Sequence, residues 1–186
     1  YWFDRGFTEE TMAAFDVRYD GACGLPHIVW PVKDANGNTL SFIKRAVVAG
    51  GYKYLYPKGF ERILFPLDHF EGDEAILVED PLDAMWMHQH GHPGALAMLG
   101  PGVTARQEAW LRGHVTKVVL ALDNDIEGRR GTERLLSRLG SFDLRVAVVP
   151  LPAKDVQEVP REGLEEMLKS AKIGASAYSS SRYNNK

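Results

Sequence analysis

The chain has 186 residues, 45% of them hydrophobic, with a formal net charge of −3. That is enough apolar material for a core without staples, in one large domain or two small ones, and too little positive charge to bind nucleic acid by bulk electrostatics alone. A single cysteine, Cys23, excludes a disulfide framework or a thiolate zinc site and fits a reducing cytoplasm, and no apolar run reaches the length of a membrane span.

The chain opens on Tyr1 without a signal peptide, which reads as a piece of something longer. Thr8 is placed to cap a short helix ending near Phe15. His27 to Val32 and Leu40 to Val48 are strand-like, and Asn36-Gly37 between them signals a hairpin. Tyr52 to Tyr56 suggests a further strand. Lys44, Arg45, Lys53, Lys58 and Arg62 crowd this stretch, interleaved with Phe42, Tyr52, Tyr54, Tyr56 and Phe60. The pattern suits either a phosphate-holding lobe or an ordinary solvated face. Glu71-Gly72-Asp73-Glu74 is a polar break, so residues 1–72 are expected to form a small α+β subdomain.

From residue 73 strands alternate with helices. Ala75 to Val78 is a strand. Asp80 caps a helix that has Pro81 at its first position and runs to about His90. Leu96 to Leu99 is a second strand, closed by Gly100-Pro101-Gly102. Thr104 with Gln107 forms a capping box for a helix to about Arg112. Lys117 to Leu122 is the strongest strand, followed by a basic amphipathic helix over Arg129 to Leu139. A strand over Leu144 to Val149 and a helix over Glu162 to Ser170 complete the pattern. The fold class is therefore α/β, a mainly parallel sheet flanked by helices over residues 73–172, with function expected at the carboxyl ends of the strands. The tail, 173–186, rich in Ser, Asn and Tyr from Ala175, reads as a flexible end or linker.

The chemistry concentrates where strands end. Asp123-Asn124-Asp125-Ile126-Glu127-Gly128 follows the strongest strand, and Glu79 follows the first strand of the same unit. A parallel sheet brings Glu79, Asp123 and Asp125 to one edge, where three like charges are costly unless cations neutralise them. Hard divalent cations suit such oxygen donors, and would bridge phosphates in an in-line displacement. Asp155, after the next strand, is a candidate fourth ligand. Asp83, one helical turn beyond Glu79, equally serves the helix dipole. A calcium loop is disfavoured because its twelfth position is Arg134, with a strand in front. A phosphatase-type nucleophile would leave Glu79 idle, and plain capping acids are the bland alternative. His88, His90 and His92 do not share a helix face, and read as a loop instead of a metal site. No Walker-type glycine loop is present; Gly100 to Thr104 is a turn into a helix N-terminus, at most a weak anion site.

With these residues in place, the chain resembles the catalytic core of bacterial and phage-type DNA primases, including their Toprim domain. Glu79-Asp80-Pro81-Leu82-Asp83-Ala84 and Asp123-Asn124-Asp125 through Arg129-Arg130-Gly131 are similar to the two Toprim motifs, and Leu99-Gly100 with Val103-Thr104 to the turn between them. Asp155 matches the first acid of a later Asp-x-Asp element whose second acid is Gln157 here. Upstream, Arg5-Gly6-Phe7-Thr8, the run from His27 through Trp30-Pro31-Val32 to Arg45, and Lys53-Tyr54-Leu55 resemble primase motifs; Glu61 to Phe65 diverges.

The resemblance implies synthesis of short RNA primers on single-stranded DNA from ribonucleoside triphosphates, with two or more Mg²⁺ or Mn²⁺ ions. Glu79, Asp123, Asp125 and Asp155 would hold metal, with Glu79 as ligand or base. Arg45 and Lys53, with Lys44 and Asp83, would contact nucleotide or DNA. It also implies a replicative helicase and a zinc-binding template-reading module, on the same chain or a partner. A Toprim nuclease using the same acids, and a module that only binds nucleotide or DNA, are the alternatives. A topoisomerase would need a nucleophilic tyrosine on a domain for which this chain has no room.

Overall fold

The computed structural model describes residues 1–21, 26–48 and 52–173; Cys23 and the tail from Ala175 lie outside them. The chain divides into two compact units, Tyr1–Glu61 with Pro66–His69, and Arg62–Phe65 with Phe70 onward.

In the first unit, helix α1 (Glu9–Ala14) starts where Thr8 Oγ1 accepts the Thr11 N–H at 3.2 Å. Four antiparallel strands follow in the order β1 (Arg18–Asp20), β2 (His27–Lys33), β3 (Thr39–Ala46) and β4 (Tyr54–Leu55). The β2–β3 turn is held by Asp34, whose Oδ1 accepts the Asn36 and Asn38 N–H groups, each at 2.9 Å. Gly37 there has φ of +81°, a backbone that favours glycine. Along β2 every second residue is buried, so Ile28, Trp30 and Val32 line one face with Ile43 of β3. That face and Trp2, Phe7 and Phe15 form the unit's core. β3 stops at Ala46, and β4 is shorter than its sequence suggested.

The second unit holds a five-stranded sheet, ordered β6 (Ala95–Ala97), β5 (Glu74–Val78), β7 (Lys117–Leu120), β8 (Asp143–Val146) and β9 (Lys172–Ile173). All pairs are parallel except β8–β9. The central strands β5 and β7 are buried through nearly all their length, which is why they read as unbroken apolar runs. Each fully buried Leu or Val contributes roughly 1.5–3 kcal/mol. Helices α2 (Pro81–Gln89), α3 (Ala105–His114), α4 (Ile126–Arg138) and α5 (Arg161–Lys169) connect and flank the strands. α2 buries six of its nine residues, so it shows no amphipathic stripe. Phe65 bridges to Ala97 through paired N–H and carbonyl groups, adding a residue to the sheet beside β6. No helix among the described residues is long and apolar enough to cross a membrane.

In the second unit β7 and β8 end earlier than the sequence reading places them, at Leu120 and Val146, and β6 and α4 shift their bounds. The strand expected over Leu96–Leu99 is Ala95–Ala97, because Leu99 and Gly100 both take positive φ, +58° and +155°, and turn the chain. Helix α4 starts at Ile126 instead of Arg129, with Asp125 as its cap.

Candidate functional site

β5 and β7 are neighbours in register, with Leu77 opposite Leu120. Glu79 and Asp123 follow their last buried residues and therefore emerge side by side. The Asp123 N–H donates to Glu79 Oε1 at 3.4 Å, a direct link between the two strand ends. Asp123 Oδ1 is buried without a hydrogen-bond partner. Burial, and then the charges of Glu79, Asp155, Asp125 and Asp80, push the Asp123 carboxyl up to about 7.

Asp125 caps α4, its Oδ1 accepting the Gly128 N–H at 2.9 Å. Gly128 is forced: a Cβ there would stand 2.0 Å from the Asp123 carbonyl oxygen. Between the acids, Asn124 works in three directions. Its N–H donates to the Lys154 carbonyl at 2.8 Å, its Nδ2 to the Val149 carbonyl at 3.0 Å, and its Oδ1 accepts from Arg129 at 3.1 Å. These bonds tie the end of β7 to the segment that carries Asp155. Asp155 in turn caps the short 3-10 turn Val156–Glu158, accepting the Glu158 N–H at 3.2 Å.

Asp83, expected to contact nucleotide or DNA, is buried and hydrogen-bonded within the second unit. It is 1% exposed, and its Oδ1 accepts the Gln157 N–H at 3.0 Å. Burial, with Asp80, Asp155 and Asp123 nearby, raises its carboxyl well above the ordinary range, and Oδ2 has no partner. Its bond to the Gln157 N–H holds the turn that follows Asp155 against α2. Asn124 and Gly128 are site residues the sequence reading passed over.

Among the described residues no three His, Cys, Asp or Glu side chains converge closely enough to enclose a metal ion as they stand. The donor chemistry nonetheless fits a hard cation: a buried carboxylate oxygen of Asp123 has no partner, burial and then four neighbouring acids raise that carboxyl, and oxygen donors surround it. The histidines do not form a ligand set. His88 Nε2 lies 2.9 Å from the Ala95 carbonyl, and His90 stands edge-on to Trp86. Burial holds the His90 and His92 imidazoles below their usual range.

The candidate cations of the first unit differ in exposure and in the contacts they make. Lys53 is exposed, with its Nζ 5.5 Å from the Tyr54 ring centre. Lys44 pairs with Asp20 at 2.6 Å. Arg45 is 5% exposed and donates to the Tyr1 and Tyr54 hydroxyls. Its guanidinium lies 4.8 Å over the Tyr54 ring.

Residues 76–159 match a family model described as Toprim-like. Among curated proteins, the chain is 29% identical over 150 residues to a DNA primase of Clostridium acetobutylicum, covering 75% of this chain and 25% of that protein. It is 27% identical to a DNA primase of Deinococcus radiodurans, covering 94% of this chain and 39% of the relative. The chain thus spans about a quarter to two fifths of the length of these curated relatives. Among solved structures, the Aquifex aeolicus primase (zinc-binding and RNA polymerase domains) superposes with a TM-score of 0.82 at 22% identity, over 99% of this chain and 58% of that one. A DnaG primase catalytic domain bound to single-stranded DNA superposes at 0.73 and 22% identity, over 92% of this chain and 72% of that one. By sequence and by fold the chain is a relative of bacterial DNA primases, with a Toprim-like domain over residues 76–159 and the architecture of a primase catalytic core.

Proposed function

We propose that the chain is the catalytic core of a DNA primase, joining ribonucleotides into short RNA primers on a single-stranded DNA template in the cytoplasm. A smaller lobe made mainly from the first 72 residues would work with a Toprim domain over residues 73–172. One observation carries the reading: the ends of β5 and β7 set Glu79 against Asp123, leaving a buried, partnerless carboxylate oxygen near three further acids, Asp155, Asp125 and Asp80. Such an arrangement is unfavourable until a cation neutralises it.

Asp123, Asp125, Asp155 and Glu79 would hold Mg²⁺ or Mn²⁺. Bound ions supply charge neutralisation on the reacting phosphate and on departing pyrophosphate. The chain's own residues do the rest. Asp123, whose carboxyl is raised to about 7, would release its proton to solvent where it held a cation. Glu79, which accepts the Asp123 N–H, would serve as a ligand or as the acceptor of the primer hydroxyl's proton. Asn124 and Asp83 fix the segment bearing Asp155. Lys53 and Lys44 meet phosphates, while Arg45 steadies Tyr54 beneath Lys53. The DnaG domain bound to single-stranded DNA supports a single-stranded template, and the zinc-binding domain of the Aquifex protein a zinc-binding reading module; a replicative helicase belongs to the same proposal by family resemblance.

Asp123→Ala is expected to abolish Mg²⁺- or Mn²⁺-dependent incorporation of labelled ribonucleotides on single-stranded DNA, with the circular dichroism spectrum unchanged. Primer synthesis at the parent rate in that variant would overturn the assignment. So would degradation of labelled single-stranded DNA in Mn²⁺ without nucleotides, the behaviour of a nuclease.

A further inference from the structure

Three large aliphatic side chains of the second unit stand in water at the same end of the sheet as the acids. Ile126, the first residue of α4, is 68% exposed, and Val148 and Leu151, in the loop after β8, are 60% and 83% exposed. Isolated exposed hydrophobic residues are ordinary on a protein surface. These are set apart by what holds them. Asn124, between Asp123 and Asp125, donates from its Nδ2 to the Val149 carbonyl at 3.0 Å and from its backbone N–H to the Lys154 carbonyl at 2.8 Å. Both feet of the loop 149–154 therefore rest on one residue of the acid cluster. Val149 and Ala153 are buried, and the Lys154 N–H donates to Glu158 Oε2 at 2.8 Å, which fixes the second foot again.

Between the feet, Pro150, Leu151 and Pro152 are all exposed. The two prolines have fixed φ, so Leu151 is lifted into water on a stiff tip. At the reach of an extended chain, Leu151 lies no more than about 7 Å from the Val149 foot, and Ile126 no more than about 7 Å from Asn124. A nucleoside triphosphate with its phosphates at the carboxylates spans that separation. A metal-held polyphosphate at Glu79, Asp123 and Asp155 leaves the other half of a nucleotide, its sugar and base, without a seat. That half presents ring faces of low polarity, and ligand sites commonly pair a few charged groups with an apolar wall. Three side chains are also far too few for a stable protein interface, which takes about 20–30 residues a side.

We infer that Ile126, Val148 and Leu151 form an aliphatic ledge that seats the nucleoside of the nucleotide bound at the acid cluster. The inference rests on the reading of that cluster as a metal–nucleotide site and adds where sugar and base lie. Aliphatic groups make no hydrogen bond to a base edge, so the ledge takes purines and pyrimidines alike and leaves the choice of base to a template. Because Asn124 carries the loop, the ledge and the carboxylates share one frame.

The test is titration calorimetry of the full chain with ATP, with CTP and with inorganic tripolyphosphate, each in Mn²⁺. Leu151→Ser and Ile126→Ser should each weaken ATP and CTP binding about five-fold, as partial loss of a buried aliphatic contact implies. Tripolyphosphate, which has no nucleoside, should bind both variants like the parent, and Leu151→Met should bind ATP like the parent. Leu151 is too exposed for its replacement to unfold the unit. Parent-like ATP affinity in both serine variants would overturn the ledge alone, and so would an equal loss of tripolyphosphate. Failure of the parent to bind any of the three ligands would instead overturn the metal–nucleotide reading beneath it.

Discussion

Gly128 lies in the first turn of α4, facing the Asp123 carbonyl at a distance no side chain can share. Gly128→Ala must move either the helix or the end of β7, and overpacking of this kind costs about 1–3 kcal/mol. Because Asp125 caps the same turn, the displacement falls on the acid pair. The variant should melt lower than the parent and lose metal-dependent nucleotide incorporation at least about ten-fold, as 1.4 kcal/mol of misplacement implies. Unaltered incorporation would mean that the turn and the strand end are not coupled. At this scale the sequence revealed the acids themselves, since Glu79 and Asp123 each terminate an apolar run. It concealed Asp83, because an acid in a first helical turn looks like a solvated dipole partner until the helix proves buried on all sides. It also concealed how Arg45 is used, because an arginine on an alternating strand gives no sign that two phenols await it.

At the scale of elements, α3 shows how one polar side chain joins separate segments. Gln107 completes the capping box with Thr104, and its Nε2 donates to the Ile63 and Met98 carbonyls at 3.0 and 2.8 Å. Gln107→Ala strands two buried acceptors and breaks the box, a loss of about 2–4 kcal/mol from unmet hydrogen bonds and the cap together. Denaturant unfolding should show that loss, and Thr104→Ala should show only about 1 kcal/mol of it. If the two variants were equal, the buried carbonyls would not depend on Gln107. The long elements were readable because burial imposes a period or an unbroken apolar run on them. β1 and β9 were not, since Arg18, Tyr19, Lys172 and Ile173 are exposed and carry no apolar alternation for the strand to show. α4 was read three residues short because a glycine interrupts its first turn.

For the molecule as a whole, the acid cluster sets the response to pH. The Asp123 carboxyl rises from 3.8 to about 7, so its proton is bound more tightly in the folded chain than in the unfolded one. The stabilisation this provides is complete below about pH 4 and is lost as pH climbs toward and past 7. Asp83 is shifted in the same direction, by burial first. The metal-free chain should therefore melt lower at about pH 8 than at about pH 5 on account of these groups. Mg²⁺ or Mn²⁺ should raise the Tm more at the higher pH, where Asp123 is free to accept it. An equal rise at both pH values, read by differential scanning calorimetry, would exclude Asp123 from the ligands.

The strip Arg62–Phe65 belongs with the second unit although the chain on either side of it belongs with the first. Phe65 pairs with Ala97, and Ile63 supplies one of the acceptors of Gln107. A gene fragment beginning at the polar break near residue 72 would carry every acid of the cluster and still lack this strip. The thread makes the Toprim-like portion hard to inherit separately. Recombination that shuffled it intact would have to cut upstream of residue 62, inside the coding sequence of its neighbour, so the two portions should travel together through descent.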